Sequence, residues 1–161
     1  RREDIATLLQ RVDLPDASVE EYINDALGLD RTGIMSMARV MGLEDMFFGK
    51  NFDLSRYWDT KLNTMSGGEK QKVMLLKVLG KGKSVMVLDE PSTGLDDYSI
   101  ETLLKYLSAV KQDRTVIIIS HDQRFREIAD DVIMVGRDTK AMTRPADGIG
   151  EHSDMANGLV S

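Results

Sequence analysis

The chain has 161 residues, 42% hydrophobic and 30% charged, with a mean hydropathy of −0.26; this composition excludes disordered and collagen-like classes and leaves enough length for one domain with a real core. Cysteine is absent and only His121 and His152 occur, which excludes disulfide scaffolds, thiolate zinc sites, cysteine nucleophiles and histidine-rich metal centres. A net charge of −6 argues against a generic binder of nucleic-acid backbones, and no apolar run approaches the roughly 20 residues of a membrane-spanning helix.

The first element is a strand over Ile5 to Gln10, which begins abruptly after charged residues and reads as the middle of a domain. After turn residues Asp13 to Asp16, Ser18 caps a helix from Val19 to Leu27, with Glu20 and Glu21 in the first turn where the helix dipole favours acid, and Gly28 closes it. A second cap at Thr32 opens a methionine-rich amphipathic stretch through Met41, and Leu43-Glu44-Asp45 starts another short helical turn. From Gly49 to Asn63 the periodicity is lost, and Tyr57 and Trp58 read as packed loop aromatics.

Beyond this point helices alternate with apolar runs, the sequence form of a parallel α/β sheet. Ser66 opens a helix that ends at Gly80, and Lys81 to Ser84 is a turn into the buried strand Val85-Met86-Val87-Leu88. Ser99 to Val110 is an amphipathic helix, Thr115 to Ile119 a second buried strand, Arg124 to Ala129 helical, and Val132 to Val135 a further strand of the set. Lys70, Lys72 and Lys77 read as a solvated helix face, and the ten methionines as core filling.

Ligands of parallel sheets gather at the carboxyl ends of the strands, and that is where Asp89-Glu90 and His121 fall. Neighbouring strand-end carboxylates point in different directions. Asp89 suits Mg²⁺, which retains water and prefers carboxylate plus phosphate oxygens. Glu90 is the candidate base for an attacking water, and His121 can hold that water or a γ-phosphate. Ser66-Gly67-Gly68 at a helix start exposes backbone N–H groups at the positive end of a dipole, an anion site suited to a terminal phosphate.

Ser66-Gly67-Gly68-Glu69-Lys70-Gln71 resembles the signature motif of ABC-type ATPases, and Val85 to Glu90 resembles their Walker B strand with its catalytic glutamate. Ser92-Thr93-Gly94-Leu95-Asp96 is similar to their D-loop, Ser120-His121-Asp122 to their switch histidine, and Gln10 to their Q-loop glutamine. The resemblance is densest from Asn63 to Val135, and Ser18 to Ile23 is similar to exporter-type domains.

It implies an α/β fold, a P-loop NTPase-like, mainly parallel sheet with an inserted helical subdomain, whose N-terminal part is missing. Residues 1–16 would be the Q-loop strand and Q-loop, 17–62 the helical subdomain, 63–138 the core, and 139–161 a loose tail. It implies ATP and Mg²⁺ as cofactors, with Glu90 and His121 catalytic, Asp89 and Gln10 on the metal, and Gln10, Ser66, Gly67, Gly68, Glu69 and Asp96 on nucleotide. Implied partners are a second nucleotide-binding domain paired head to tail and a transmembrane domain met through the helical subdomain and Q-loop; no nucleic acid is expected. The place implied is the cytoplasmic face of a membrane.

One departure matters. No G-x-x-x-x-G-K-S/T occurs, and Gly82-Lys83-Ser84 only imitates its end, because Ser84 leads into a strand. The P-loop is therefore expected elsewhere on the same or another chain, and these residues alone are expected to turn over no ATP. Alternatives are a soluble relative, of the ABC-F or SMC kind, and a non-catalytic half that lends a signature motif to a partner.

Overall fold

The computed structural model describes residues 4–10, 13–136 and 139–145, with side chains described through residue 135. The chain divides into two units, residues 1–128 and 129–161.

The first unit is built on a three-stranded parallel sheet in the order β1 (Ile5–Leu8), β2 (Val85–Asp89), β3 (Thr115–Ile119). Leu8 lies opposite Leu88, and Asp89 opposite Ile119, so all three carboxyl ends meet at one edge. The alternation of side chains sends Ala6, Leu8, Met86 and Leu88 into a buried face. The opposite face carries Ile5, Ile117 and Ile119 at 46%, 48% and 55% exposure.

Between β1 and β2 the chain forms α1 (Val19–Leu27), α2 (Arg31–Val40), α3 (Glu44–Phe48) and α4 (Gly67–Gly80). Ser18 and Glu21 form a reciprocal capping box on α1, and Gly28 ends it in the left-handed region at φ 66°, as the residue types dictate. The cap of α2 is Asp30 and not Thr32: Gly33 N–H donates to Asp30 Oδ1 at 2.8 Å, so the helix starts two residues earlier than read. Val19, Ile23, Ile34, Leu43, Phe47 and Leu62 are fully buried, each contributing about 1.5–3 kcal/mol of transfer free energy.

The segment read as an aperiodic loop contains two 3-10 turns, Leu54–Arg56 and Leu62–Thr64. It is strapped to the start of α1, where the Val19 and Glu20 N–H groups donate to the carbonyls of Thr60 and Trp58. Trp58 is buried, with Arg31 5.9 Å from its ring centroid. After β2 come α5 (Asp97–Val110), β3 and α6 (Arg124–Ile128).

The second unit holds β4 (Asp131–Gly136) and β5 (Thr139–Pro145) in their own antiparallel sheet, with Met134 opposite Met142. Val132 to Val135, expected to extend the parallel set, pairs instead with the opening of the segment read as a loose tail. Two residues separate β4 from β5, and so short a connection allows only an antiparallel pairing of the two. The rest of that tail, with His152, lies outside the described residues.

Candidate functional site

Glu90 follows β2, its N–H donating to the Ile119 carbonyl at 2.8 Å, which carries strand pairing one residue past Asp89. At that point the backbone turns through φ 47°, the one positive φ of a non-glycine residue among those described. Such a conformation costs about 1–2 kcal/mol and turns the side chain off the line of the strand. The Glu90 side chain is only 17% exposed, and His121 Nε2 lies 3.6 Å from its Oε1, within ion-pair range. The Ser120 hydroxyl donates to Glu90 Oε2 at 3.4 Å. His121 is fully exposed, free to meet a ligand.

Asp89 is half-buried, and among the described residues its carboxylate takes part in no hydrogen bond or ion pair. No cluster of three metal-ligating side chains occurs among those residues. A lone carboxylate fits Mg²⁺ held with water and phosphate oxygens, and does not fit an all-protein metal cage. Gln10 lies exposed in the bend after β1, two residues past its end.

Ser66 caps α4 through a second reciprocal box. The Ser66 N–H and hydroxyl donate to Glu69 Oε2 at 2.8 and 2.7 Å, and the Glu69 N–H returns to Ser66 Oγ. The Tyr57 hydroxyl donates to the other oxygen, Glu69 Oε1, at 2.7 Å. The Tyr57 bond, followed by those of Ser66, holds the Glu69 carboxyl below its ordinary value. Both oxygens of Glu69 are thus engaged within the chain, whereas Gly67 is open: a Cβ there would meet nothing within 4 Å.

Gly68 faces the loop after β2. A Cβ on Gly68 would sit 2.7 Å from the Gly94 carbonyl oxygen, and one on Gly94, at φ 71°, would sit 2.8 Å from Gly68 Cα. Only two glycines allow the backbones of α4 and this loop to approach so closely. Gln71 Nε2 also donates to the Glu90 carbonyl at 3.4 Å, tying α4 to the end of β2. Asp96 caps α5 by accepting the Ser99 N–H at 2.9 Å, and its other oxygen accepts from Lys72 Nζ at 3.0 Å. Burial pushes this carboxyl up, but the Ser99 and Lys72 hydrogen bonds outweigh it and hold it at about 2.

The structure therefore brings Asp89, Glu90 and His121 to neighbouring strand ends, and Ser66 to Gly68 against the loop after β2. Glu69 and Asp96, expected on nucleotide, are engaged as helix caps. Lys72 is buried at 6% exposure and Lys77 covers the Tyr22 ring at 3.6 Å, which corrects the solvated-face reading. Lys72 was legible from its spacing: with Leu75, Leu76 and Leu79 it falls on the i, i+3, i+4, i+7 stripe. Tyr57 lay in a segment without period, and nothing local marked it.

A parallel sheet with polar residues gathered at its carboxyl ends defines an α/β domain whose ligand site lies at that edge. A family model described as ABC transporter matches residues 1–93. UvrABC system protein A of Agrobacterium fabrum is 42% identical over 78 residues, 46% of this chain and 8% of that protein. Energy-coupling factor transporter ATP-binding protein EcfA1 of Staphylococcus aureus is 34% identical over 107 residues, 65% of this chain and 40% of that one. The chain thus spans less than half the length of either relative. A bacterial Atm1-family ABC exporter with ATP bound shares the fold, with a TM-score of 0.72 at 23% identity over 90% of this chain and 26% of that one. The chain belongs to the ABC transporter family, in its ATP-binding domain.

Proposed function

We propose that the chain is the later part of a motor domain that hydrolyses ATP to drive transport, paired head to tail with a second such domain. The juxtaposition of Glu90 and His121, 3.6 Å apart at adjoining strand ends, carries this reading. Bound Mg²⁺–ATP supplies the terminal phosphate and its charge compensation, and Asp89 and Gln10 would hold the metal. Glu90, shielded from solvent and turned out of the strand, orients a water and accepts its proton at Oε1. His121 Nε2 fixes that water or the phosphate from the exposed side. The open first turn of α4, Ser66 to Gly68, offers N–H donors to nucleotide held by the opposite domain. Glu69 and Asp96 serve by fixing these loops.

The bare sheet face supports a missing segment. Parallel sheets are covered on both sides, and Ile5, Ile117 and Ile119 are exposed on one. We assign that cover to the segment bearing the P-loop, on this or another chain, so these 161 residues alone turn over no ATP. The helical subdomain and Q-loop would meet a membrane partner at its cytoplasmic face. No helix among the described residues is long and apolar enough to cross a membrane.

The test is Mg²⁺-dependent ATP hydrolysis by the full-length protein. Glu90→Gln should lower kcat by about 10²–10⁴-fold, and an unchanged rate refutes the assignment. A second reading, a soluble ATPase of the same family, is favoured by the 42% identity to UvrABC system protein A, whose name carries no transport term. Co-purification with a membrane protein separates the two.

A further inference from the structure

Lys72 and Ser99 are the buried polar side chains among the described residues, and both contact Asp96. Lys72 Nζ also lies 5.0 Å from the Phe52 ring centroid. Its side chain is 7% exposed while that of Asp96 is 39% exposed, so an ammonium inside meets a carboxylate at the rim. An ion pair so placed is a poor source of stability, because desolvating the charges offsets their attraction and an apolar pair of similar volume is often as stable or more so. What the pair does supply is direction.

Lys72 stands one helical turn beyond Gly68, whose backbone rests against Gly94; Asp96 stands two residues beyond Gly94. The glycine contact alone would let α4 slide or roll against the loop. A second tie one turn away removes both motions. The Gln71 bond to the Glu90 carbonyl lies between the two ties in sequence and links the same helix to the strand end.

We infer that Lys72 is a positioning residue: through Asp96 it fixes the first turn of α4 against the loop Pro91 to Asp96, and so holds the Ser66 to Gly68 donors in a set relation to Glu90. This rests on the function proposed above, in which both groups work on nucleotide. Lys72 touches no reacting atom. It acts through the loop it anchors.

The test uses the full-length protein with Lys72→Met, Lys72→Arg and the double variant Lys72→Met/Asp96→Asn. The double variant leaves no unpaired charge, and asparagine keeps the cap of α5, so its thermal midpoint stays near that of the wild type. Its kcat should fall about tenfold or more, since small misplacements are costly to chemistry, while affinity for a fluorescent ATP analogue is unchanged. Lys72→Arg, which can still donate to Asp96, should restore kcat to within about threefold. Amide exchange needs no turnover: protection over residues 69–71, whose N–H groups begin the bonded part of α4, should drop in the double variant while the later turns of α4 keep theirs. A double variant with wild-type kcat and wild-type exchange overturns the inference. So does one in which exchange rises uniformly along α4 and kcat falls only with the midpoint. If exchange changes as expected in the double variant but the wild-type protein hydrolyses no ATP, the tie stands and the functional reading, with the positioning role, is refuted.

Discussion

Replacing Gly68 with alanine puts a Cβ 2.7 Å from the Gly94 carbonyl oxygen, a backbone atom that cannot rotate out of the way. Ordinary contact between these atoms needs about 3.4 Å, so α4 and the loop must separate by several tenths of an ångström. Overpacking of this kind costs about 1–3 kcal/mol. Gly67 provides the control one residue away, since its Cβ would meet nothing within 4 Å and its backbone is not left-handed. Gly67→Ala should leave the fold intact, or stabilise it by up to about 0.5 kcal/mol through helix propensity. If the open space beside Gly67 receives nucleotide from the opposite domain, the added methyl there should still lower kcat by about tenfold or more. Chemical denaturation and Mg²⁺-ATP hydrolysis of the full-length variants measure both quantities. Gly68→Ala with wild-type stability and activity refutes the packing argument; Gly67→Ala with wild-type activity refutes the placement of nucleotide.

Glu90→Gly should relieve the positive φ and raise stability by about 0.5 kcal/mol while abolishing hydrolysis, whereas Glu90→Gln, with the same backbone strain, gives no such rise in a denaturation midpoint. Tyr57→Phe removes the donor to Glu69 and should cost about 1 kcal/mol. Glu69 is depressed in the fold, so its contribution is present above the ordinary glutamate range and lost as pH falls through its lowered value; in Tyr57→Phe that acid-side loss should shrink. Asp30→Ala should cost about 1 kcal/mol in a denaturation midpoint, and Thr32→Ala under about 0.5 kcal/mol, because Asp30 is the cap of α2.

The elements that were legible carry their information locally. Ser18 and Ser66 each stand three residues before a glutamate, and both form the reciprocal box that spacing implies. The runs Val85 to Leu88 and Thr115 to Ile119 end in polar residues, and their parallel pairing brings Glu90 to His121. What the sequence hid is non-local. Asp96 was placed on nucleotide by its resemblance to a D-loop; its bond to Lys72 depends on a residue 24 positions earlier, which no local pattern shows. Tyr57 reaches Glu69 across an irregular segment with no period to read. The antiparallel pairing of β4 depends on a partner strand, Thr139–Pro145, that mixes polar residues with one alanine and one methionine and so carries no clear apolar alternation.

The two halves of the site differ in how firmly they are held, and the difference follows from their proposed tasks. Ser66 to Gly68 must present fixed donors, and their surroundings are tied by a capping box, a glycine-to-glycine contact and the Lys72 pair. The Asp89 carboxylate accepts no hydrogen bond among the described residues, and the His121 ring is bare to solvent. A carboxylate without a hydrogen-bond partner among the described residues and an imidazole held by Glu90 alone, beside that residue's strained backbone, are available to water, metal and phosphate. Tightening them with internal hydrogen bonds would stabilise the fold and compete with the ligands. A variant that supplies Asp89 with a donor in the chain should therefore melt later and require more Mg²⁺ for half-maximal hydrolysis.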